Sequence, residues 1–529
     1  MRREARGCRV PIPVFVGVAG LLLASFTIAG CFGNKPAERP GSVDGYVFKP
    51  VGRDATTAGL GLKVLSRGPA AAPPPGYEPC PGAVVTVTGS SGVTETDRKG
   101  YFRTDGVSPG TQTVSIVYGS YHLSVKVAVY SGKVTTVNAT TGNLLGKWTV
   151  MVYMCADNNL EAAGIADINE MELVGSTEDV SILVQVDRRG KPDGSDDDWE
   201  GARRYYIRHD EDSSGIGSDV AYWFGAPGTD NEIDMGDPAE LRDFVTWCVA
   251  NYPAQHYVLV LWNHGDGWTI WRSPTVVVPR AICFDDQSGH ALDVDRIRTA
   301  LEGLPRLDII GFDACLMQMA EVAYEVRGIA DIAVGSQENE PEDGWDYEKA
   351  LTGLCASPNT TAPWDLARAI VDSYTWYYSV DWVTQSAFRL EQSDDVAMAA
   401  KNLKDELIYR IEQDAYGTDA DRIRKAVKSA RGSSREYYVD YYDLEDFAAN
   451  LVVVAGASAS GISGDAKAAI CARAQAVVDR LSDSWVYARG NGNGLSIYLP
   501  DKITPVYGYD YLQFEQDTHW SELFKHVIP

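Results

Sequence analysis

The fold is decided by residues 258–268, which read VLVLWNHGDGW. The first five residues are apolar without alternation, which is the pattern of a parallel strand buried on both faces. Comparable apolar runs occur at 148–154, 180–186, 307–312 and 332–335, and segments with helical spacing lie between several of them. Strands that alternate with helices predict an α/β domain, with a mostly parallel sheet flanked by helices on both faces.

Two of these predicted strands run directly into reactive side chains. The run 258–262 leads to His264, and the run 307–312 leads to Cys315. In open sheets of this kind, ligands bind at the carboxyl ends of the strands. If the two strands are neighbours, an imidazole meets a thiol, and a nearby base is what activates a cysteine nucleophile. The step of 51 residues between His264 and Cys315 fits one hairpin and one crossover helix.

Cys315 also opens a stretch in which Met319, Val322 and Val326 keep helical spacing. We therefore expect Cys315 at a helix N-terminus, where the partial positive charge lowers the pKa of a thiol. Taken singly, a Cys after a strand is more often a small core residue, and a His in a turn is more often a satisfied polar residue. Their matching positions at two strand ends favour catalysis.

The composition is that of a globular, acidic protein. Its 529 residues are 45% hydrophobic and 10% aromatic, which excludes disorder or a coiled coil for most of the chain. The net charge of −26 argues against a nucleic-acid partner, because phosphate binding needs a positive surface. The sequence contains no G-x-S-x-G elbow, Walker loop or H-E-x-x-H motif. An α/β serine hydrolase, an NTPase and a zincin are therefore unsupported.

Four segments together resemble the clostripain family of cysteine peptidases. They are residues 148–161 (WTVMVYMCADNNLE), 262–268 (WNHGDGW), 312–319 (FDACLMQM) and 494–500 (GLSIYLP). The resemblance covers residues 146–529. It implies a caspase-like α/β fold, and an endopeptidase whose partners are protein or peptide substrates.

The same resemblance assigns roles to the two reactive residues. His264 matches the catalytic histidine and Cys315 the nucleophile, which forms a thioester while the histidine transfers protons. The backbone N–H groups of Gly265 and Cys315 are the candidate oxyanion donors. Members of this family are often made as precursors that are cut between the two motifs. Cleavage after Arg272 or Arg280 is therefore a further expectation.

The resemblance also implies cleavage after Arg or Lys. A cationic side chain that enters a pocket needs a buried carboxylate to offset its desolvation. Asp313 matches the acidic position that holds the basic residue, Asp343 is a second candidate, and Glu338 or Glu340 could serve instead. The plainer interpretation of residues 338–343 is a solvated acidic loop. If Asp313 only supports its loop, the peptidase would have a non-basic preference.

Residues 1–30 have the features of a secretory signal, with a cationic start, an apolar middle and small residues at the end. Residues 28–31 (IAGC) resemble a bacterial lipobox, which implies cleavage before Cys31 and a membrane anchor on its acylated thiol. Phe32 stands where an Asp would retain a lipoprotein at the inner membrane. This favours the outer membrane or cell surface of a bacterial envelope. A transmembrane helix is the alternative, and residues 31–41 are predicted to be a flexible tether.

A separate β-rich region is predicted at residues 42–141. Apolar and small polar residues alternate there, as at 113–118, and turn residues separate the runs, which predicts an all-β sandwich. Residues 45–47, 81–85 and 96–102 resemble the carboxypeptidase-regulatory-like (transthyretin-like) family. That resemblance implies a spacer or adhesion module.

Residues 193–198 (DGSDDD) are acidic enough to hold calcium. Their spacing is not that of an EF-hand, and a solvated loop is the simpler interpretation. We therefore assign no metal ligand and leave calcium open as a cofactor.

The sequence thus favours a membrane-anchored cysteine endopeptidase and leaves two alternatives. One is an inactive binding or adhesion lipoprotein on the same fold. The other is a peptidase with a non-basic preference.

Overall fold

The computed structural model describes most of the chain, in fifteen stretches. These are residues 39–50, 63–65, 77–118, 121–137, 139–140, 146–177, 179–189, 196, 199–224, 231–269, 282–378, 382–414, 417–481, 485–501 and 508–527. The predicted signal, the lipidation candidate Cys31 and the cleavage candidates Arg272 and Arg280 lie outside them. Within these stretches, no helix is long and apolar enough to cross a membrane.

The first region consists of strands. In chain order they are β1 (Gly41–Pro50), β2 (Lys63–Leu65), β3 (Tyr77–Pro79), β4 (Val84–Val87), β5 (Val93–Glu95), β6 (Tyr101–Val107), β7 (Gly110–Tyr118), β8 (Tyr121–Val129), β9 (Val134–Thr136) and β10 (Ala139–Thr140). One sheet has the order β10-β2-β1-β3, with β6 and β9 also paired to β1, and the other has the order β5-β4-β7-β8.

Side chains from both sheets form one apolar core, as the alternating sequence predicts. On β4, Val85 and Val87 are buried while Val84 is exposed. Val43 and Phe102, from the other sheet, belong to the same cluster. The predicted all-β sandwich is confirmed.

The second region alternates strands and helices. Its first half contains β11 (Gly146–Ala156), α1 (Glu161–Val174), β12 (Val180–Arg188), β13 (Gly201–Tyr206), β14 (Asp219–Trp223), α2 (Pro238–Asn251), β15 (Ala254–Trp262), β16 (Ile282–Asp285), β17 (His290–Leu292), α3 (Val294–Leu301), β18 (Leu307–Asp313), α4 (Ala320–Val326) and β19 (Ala330–Gly335). Its second half contains α5 (Tyr347–Ala356), α6 (Pro363–Tyr377), β20 (Thr384–Arg389), α7 (Ser393–Gln413), α8 (Thr418–Ser433), β21 (Glu436–Tyr438), β22 (Tyr441–Asp443), α9 (Leu444–Gly456), α10 (Gly464–Arg480), β23 (Val486–Gly490), β24 (Ser496–Tyr498), α11 (Gln513–Thr518) and α12 (Glu522–Val527).

One mixed sheet of nine strands organises this region, in the order β14-β13-β12-β11-β15-β18-β19-β20-β23. Its five central strands, β12, β11, β15, β18 and β19, are parallel. On the outer sides of the sheet the pairs β12–β13, β13–β14, β19–β20 and β20–β23 are antiparallel. The predicted α/β fold with a parallel centre is confirmed, and the antiparallel outer strands were not predicted.

Helices cover both faces of the sheet. On β11, Met151 and Tyr153 belong to a core that includes side chains of α2, α3 and α7. Val150 and Val152 belong to the opposite core, with side chains of α1, α5 and α6. Because successive side chains of a strand point to opposite faces, one continuous apolar run serves both cores.

Helix α2 shows how local sequence sets an element. The carboxylate of Asp237 accepts the N–H of Ala239 at 2.9 Å, and Pro238 occupies the first turn. A cap of this kind stabilises a helix by about 1 kcal/mol. Leu241 and Phe244 then lie on the buried face, at the helical spacing that the sequence shows.

Candidate active site

The sheet brings the two predicted reactive residues to one edge. Strands β15 and β18 are parallel neighbours, and Trp262 lies opposite Asp313 in their register. His264 and Cys315 each follow two residues after these paired positions. The hairpin β16–β17 and helix α3 connect the two strands, which is the connection that the sequence spacing predicts.

His264 and Cys315 line one cavity of about 210 Å³. Its walls come from residues at the ends of β15 and β18 and just after β11, β15 and β18, and from residues 340–342 and Gly344 beyond β19. A cavity at the carboxyl ends of parallel strands is where an open α/β sheet binds its ligand. The structure therefore brings the predicted imidazole and thiol into one site.

The imidazole of His264 is held from two sides. Its Nε2 lies 2.9 Å from Oδ1 of Asn159, the third residue after β11. The ring also meets Phe284 of β16 edge to face, with centroids 6.1 Å apart. A hydrogen on Nε2 donates to the Asn159 oxygen and leaves Nδ1 as the basic nitrogen.

Burial lowers the pKa of His264, because it disfavours the charged imidazolium, while the charges of Asp286 and Glu342 act in the opposite direction. The resting histidine is therefore suited to accept a proton.

The surroundings of Cys315 differ from the prediction. Helix α4 begins only at Ala320, so Cys315 lies in a turn, followed by Leu316 with φ of 66°. The expectation of a thiol at a helix N-terminus is wrong, because the positive φ interrupts the helical path. The N–H that reaches the sulfur instead comes from Glu340, at 3.2 Å. Burial raises the pKa of the Cys315 thiol, and this N–H acts in the opposite direction.

Gly265, a predicted oxyanion donor, packs tightly against the nucleophile segment. A side-chain carbon at this position would overlap the carbonyl oxygen of Cys315 and would lie 3.1 Å from the Ala314 Cβ. The glycine is thus required by a close approach of two backbones. This approach places the Gly265 backbone beside the carbonyl of Cys315.

A buried carboxylate forms part of the cavity wall. Asp313 ends β18 with only 3% of its surface exposed. Its Oδ2 accepts the hydroxyl of Tyr347 at 2.7 Å and the N–H of Trp345 at 3.4 Å. Burial raises the pKa of Asp313 to about 6, since water no longer solvates its charge. The absence of a side chain at Gly344 leaves space beside the Asp313 carboxylate, because a Cβ at this position would lie 2.9 Å from Asp313 Oδ1.

A second carboxyl lies against the first. The carboxyls of Glu340 and Asp313 lie close enough for each to shift the pKa of the other, and Glu340 Oε2 has no hydrogen-bond partner among the described residues. Burial and the negative charge of Asp313 raise the pKa of Glu340 well above its usual range. Two adjacent carboxyls in a low-dielectric wall either share a proton or attract a cation.

The other predicted acidic residues lie elsewhere. Asp343 is exposed and is not one of the residues that line the cavity. The carboxyl of Glu338 is bound to the N–H of the next residue, Asn339. The structure therefore brings Asp313 and Glu340 together at the cavity and leaves Asp343 and Glu338 outside it.

The sequence did not single out Asn159 or Tyr347, the partners of the two key polar groups. A polar run directly after the buried strand β11 was the available signal for Asn159. Of the acidic residues 193–198, for which a solvated loop was the simpler interpretation, only Asp196 is described, and its carboxylate accepts the indole N–H of Trp199 and the N–H of Ile216.

Comparisons with known proteins show which families the two regions of the chain resemble. A model of the Clostripain family matches residues 152–526, and one of the Carboxypeptidase regulatory-like domain matches residues 75–142. The chain is 33% identical over 238 residues to clostripain from Hathewaya histolytica, which covers 42% of this chain and 44% of that relative. The matched stretch thus spans less than half of the relative's length.

The fold is also similar to that of a solved enzyme. A secreted C11 cysteine protease from Bacteroides thetaiotaomicron, in complex with an irreversible peptide inhibitor, aligns with a TM-score of 0.50 and 21% identity. The alignment covers 71% of this chain and all of that one. At 21% identity, the similarity to this solved structure supports the fold alone. The family assignment rests instead on the family model, which matches the sequence over most of the chain. The chain belongs to the clostripain family of cysteine peptidases.

Proposed function

We propose that this chain is an endopeptidase that cleaves peptide bonds after Arg or Lys, with Cys315 as nucleophile and His264 as acid and base. One observation carries the proposal. The cavity that holds the thiol and the imidazole also has the paired carboxyls of Asp313 and Glu340 in its wall. The site thus combines a nucleophile, a base and a receptor for a positive charge.

The proposed reaction begins with a neutral Cys315 thiol and a neutral His264 imidazole. His264 accepts the thiol proton as the Cys315 sulfur attacks the scissile carbonyl, and the imidazolium then protonates the leaving amine. The result is a thioester. Water hydrolyses this thioester, with His264 again taking a proton. The N–H groups of Gly265 and Cys315 are the proposed donors to the oxyanion.

The preference for a basic side chain rests on charge. Asp313 is buried and Glu340 is half-buried beside it, so a guanidinium or ammonium group between their carboxyls would replace the repulsion of two carboxylates by attraction. A guanidinium can bind carboxylates with two parallel hydrogen bonds. Asp343 is the weaker candidate for this role, because it is exposed and outside the cavity wall.

Hydrolysis of matched reporter peptides tests the proposal. We expect the wild-type chain to cleave reporters with Arg or Lys before the scissile bond, and Cys315→Ala to cleave none. If Leu or Asp reporters are cleaved faster than Arg and Lys reporters, the assignment of Asp313 and Glu340 as the receptor for a basic side chain is wrong. If no reporter or protein is cleaved, the inactive binding alternative is favoured.

We also propose that the mature chain is anchored in the bacterial envelope through acylated Cys31, at the outer membrane or cell surface. The support is the sequence Ile28-Ala29-Gly30-Cys31 after an apolar segment. We expect the protein in the membrane fraction, labelled by a fatty-acid analogue. Cys31→Ala should lose the label. A label that persists in this variant would contradict the anchor.

A further inference from the structure

Two buried cysteines approach each other near the active-site edge of the sheet. Cys155 is the next-to-last residue of β11, and Cys283 is the second residue of β16. Neither has any exposed surface, and both side chains belong to the same apolar core. Both are free thiols in this structure. The fold thus brings together two thiols that are far apart in sequence.

Side-chain amides hold the backbones of the two segments together at these residues. Nδ2 of Asn158 donates to the carbonyl oxygen of Cys155 at 2.8 Å and to that of Phe284 at 3.0 Å. Nδ2 of Asn263 donates to the same two oxygens, and its Oδ1 accepts the N–H of Phe284 at 2.8 Å. The backbone of Cys155 therefore shares two donors with the residue that follows Cys283.

The backbone conformation of Cys283 brings its thiol into this core. Successive side chains of a regular strand point to opposite faces, yet Ile282 and Cys283 are both fully buried. Cys283 has φ of 59°, and the pairing of β16 with β17 is irregular between Ile282 and Asp285. A non-glycine residue in this left-handed region is strained and persists only where its surroundings hold it. The irregularity thus places a second thiol in the core that contains Cys155.

The two thiols are close enough to interact. After burial, the neighbouring Cys283 thiol is the largest cause that raises the pKa of Cys155 well above its usual range. The hydroxyl of Tyr153 lies near both, because burial and then the two thiols raise its pKa as well. Burial keeps Cys155 protonated in the folded chain, and the thiolate is the form that reacts with disulfides. Any exchange at this pair therefore takes place before the core closes.

We propose that Cys155 and Cys283 form a disulfide when the chain folds in an oxidising compartment. Disulfides are typical of exported proteins, and residues 1–31 predict export. The oxidant is another disulfide, either of a small molecule or of a thiol oxidoreductase. One thiolate attacks it and forms a mixed disulfide with release of one thiol, and the second cysteine then displaces the other thiol. Two electrons and two protons pass from the cysteine pair to the oxidant, which is reduced to two thiols.

The bond would join the two segments that support His264. Asn159, whose oxygen meets the imidazole, lies shortly after Cys155. Phe284, which packs against the ring, directly follows Cys283. A covalent link between these segments would restrict the movement of the imidazole. This effect on His264 rests on the proposed function, whereas formation of the disulfide does not.

The disulfide is tested on the full chain with Cys315→Ala, so that neither proteolysis nor the active-site thiol interferes. The protein is folded in a mixture of oxidised and reduced glutathione, alkylated in denaturant without reductant, and digested for mass spectrometry. We expect a peptide pair linked through Cys155 and Cys283 that disappears after reduction. Cys248→Ala, at another fully buried cysteine of the same core, is the matched control and should keep the link. Quantitative alkylation of Cys155 and Cys283, or links from them to other cysteines, would overturn the proposal.

Thermal stability distinguishes a disulfide of the folded state from accidental cross-linking. The bond would close a loop of more than about 100 residues and restrict the unfolded chain, so reduction should lower the Tm of the parent by roughly 5 °C. Cys155→Ala cannot form the bond, and its Tm should be the same with and without reductant. If reduction leaves the Tm of the parent unchanged, or lowers that of Cys155→Ala equally, the pair is not a disulfide of the folded protein. Since every readout uses an inactive variant, the peptidase proposal can fail independently.

Discussion

The backbone N–H of Glu340 donates a hydrogen bond to the Cys315 sulfur at 3.2 Å. The same Glu340 lines the cavity together with Asp313, and its carboxyl is close enough to shift the pKa of the Asp313 carboxyl. One residue of the loop after β19 therefore contacts both the proposed nucleophile and the proposed receptor for a basic side chain. A substrate cation seated at the two carboxyls would fix this loop, and with it the N–H group that favours the thiolate.

The variant Asp313→Asn tests whether the Asp313 carboxylate in the cavity wall binds the basic side chain of the substrate. We expect kcat/KM for an Arg reporter to fall about 10²–10³-fold, since removing one partner of a buried charge pair costs about 3–4 kcal/mol. The value for a Leu reporter should change little. Asp343→Asn serves as the comparison, because Asp343 is exposed, and its effect should be several-fold at most. An equal loss for both reporters would show that Asp313 only supports the loop.

Asn159 is expected to act as a positioning residue for His264. Asn159→Ala should lower kcat about tenfold with little change in KM, because one hydrogen bond that orients the imidazole is lost. Asn159→Asp keeps an acceptor and adds a negative charge beside the ring. It should therefore raise the pKa of His264 and move the acidic limb of the kcat/KM profile to higher pH. An unchanged pH profile would assign Asn159 a purely structural role.

The charge state of the resting pair predicts a pH dependence for alkylation. Burial raises the pKa of Cys315 and lowers that of His264, so the thiol is protonated at neutral pH. We expect the rate of Cys315 modification by iodoacetamide, followed by mass spectrometry, to rise about tenfold per pH unit from pH 6 to 8. A constant rate over this interval would mean a thiolate–imidazolium pair instead.

Processing within the peptidase domain gives a further test. If the chain cuts itself after Arg272 or Arg280, wild-type protein should give two fragments on a denaturing gel. Cys315→Ala should stay intact, and replacing both arginines should block the cut. Fully active wild type that consists only of intact chain would remove this prediction.

Much of the fold was readable from the sequence because the central strands are continuous apolar runs. Strand β11 at Gly146–Ala156 and strand β18 at Leu307–Asp313 both coincide with such runs. The outer strands β20 at Thr384–Arg389 and β23 at Val486–Gly490 contain polar or exposed residues and pair across a long helical stretch. Their pairing depends on tertiary contacts that no local pattern records.

The reactive residues of the site were predictable because each comes shortly after a strand that the sequence shows clearly. His264 and Cys315 stand at strand ends, where residue type and position point to function. Helical spacing after Cys315 gave the wrong local structure, because the pattern does not show the positive φ of Leu316. The carboxyl cluster of Asp157, Glu232 and Asp285 was not predicted, because these residues come together only in the folded chain.

The central claim is that Cys315 attacks substrates whose basic side chain is held by the cavity wall. The most direct measurement is affinity labelling with two peptide chloromethyl ketones, one ending in Arg and one in Leu, followed by mapping of the adduct by tandem mass spectrometry. The account predicts a stoichiometric adduct on Cys315 with the Arg reagent, a much slower reaction with the Leu reagent, and no adduct in Cys315→Ala. An adduct on another cysteine such as Cys155, or equal rates for both reagents, would contradict it.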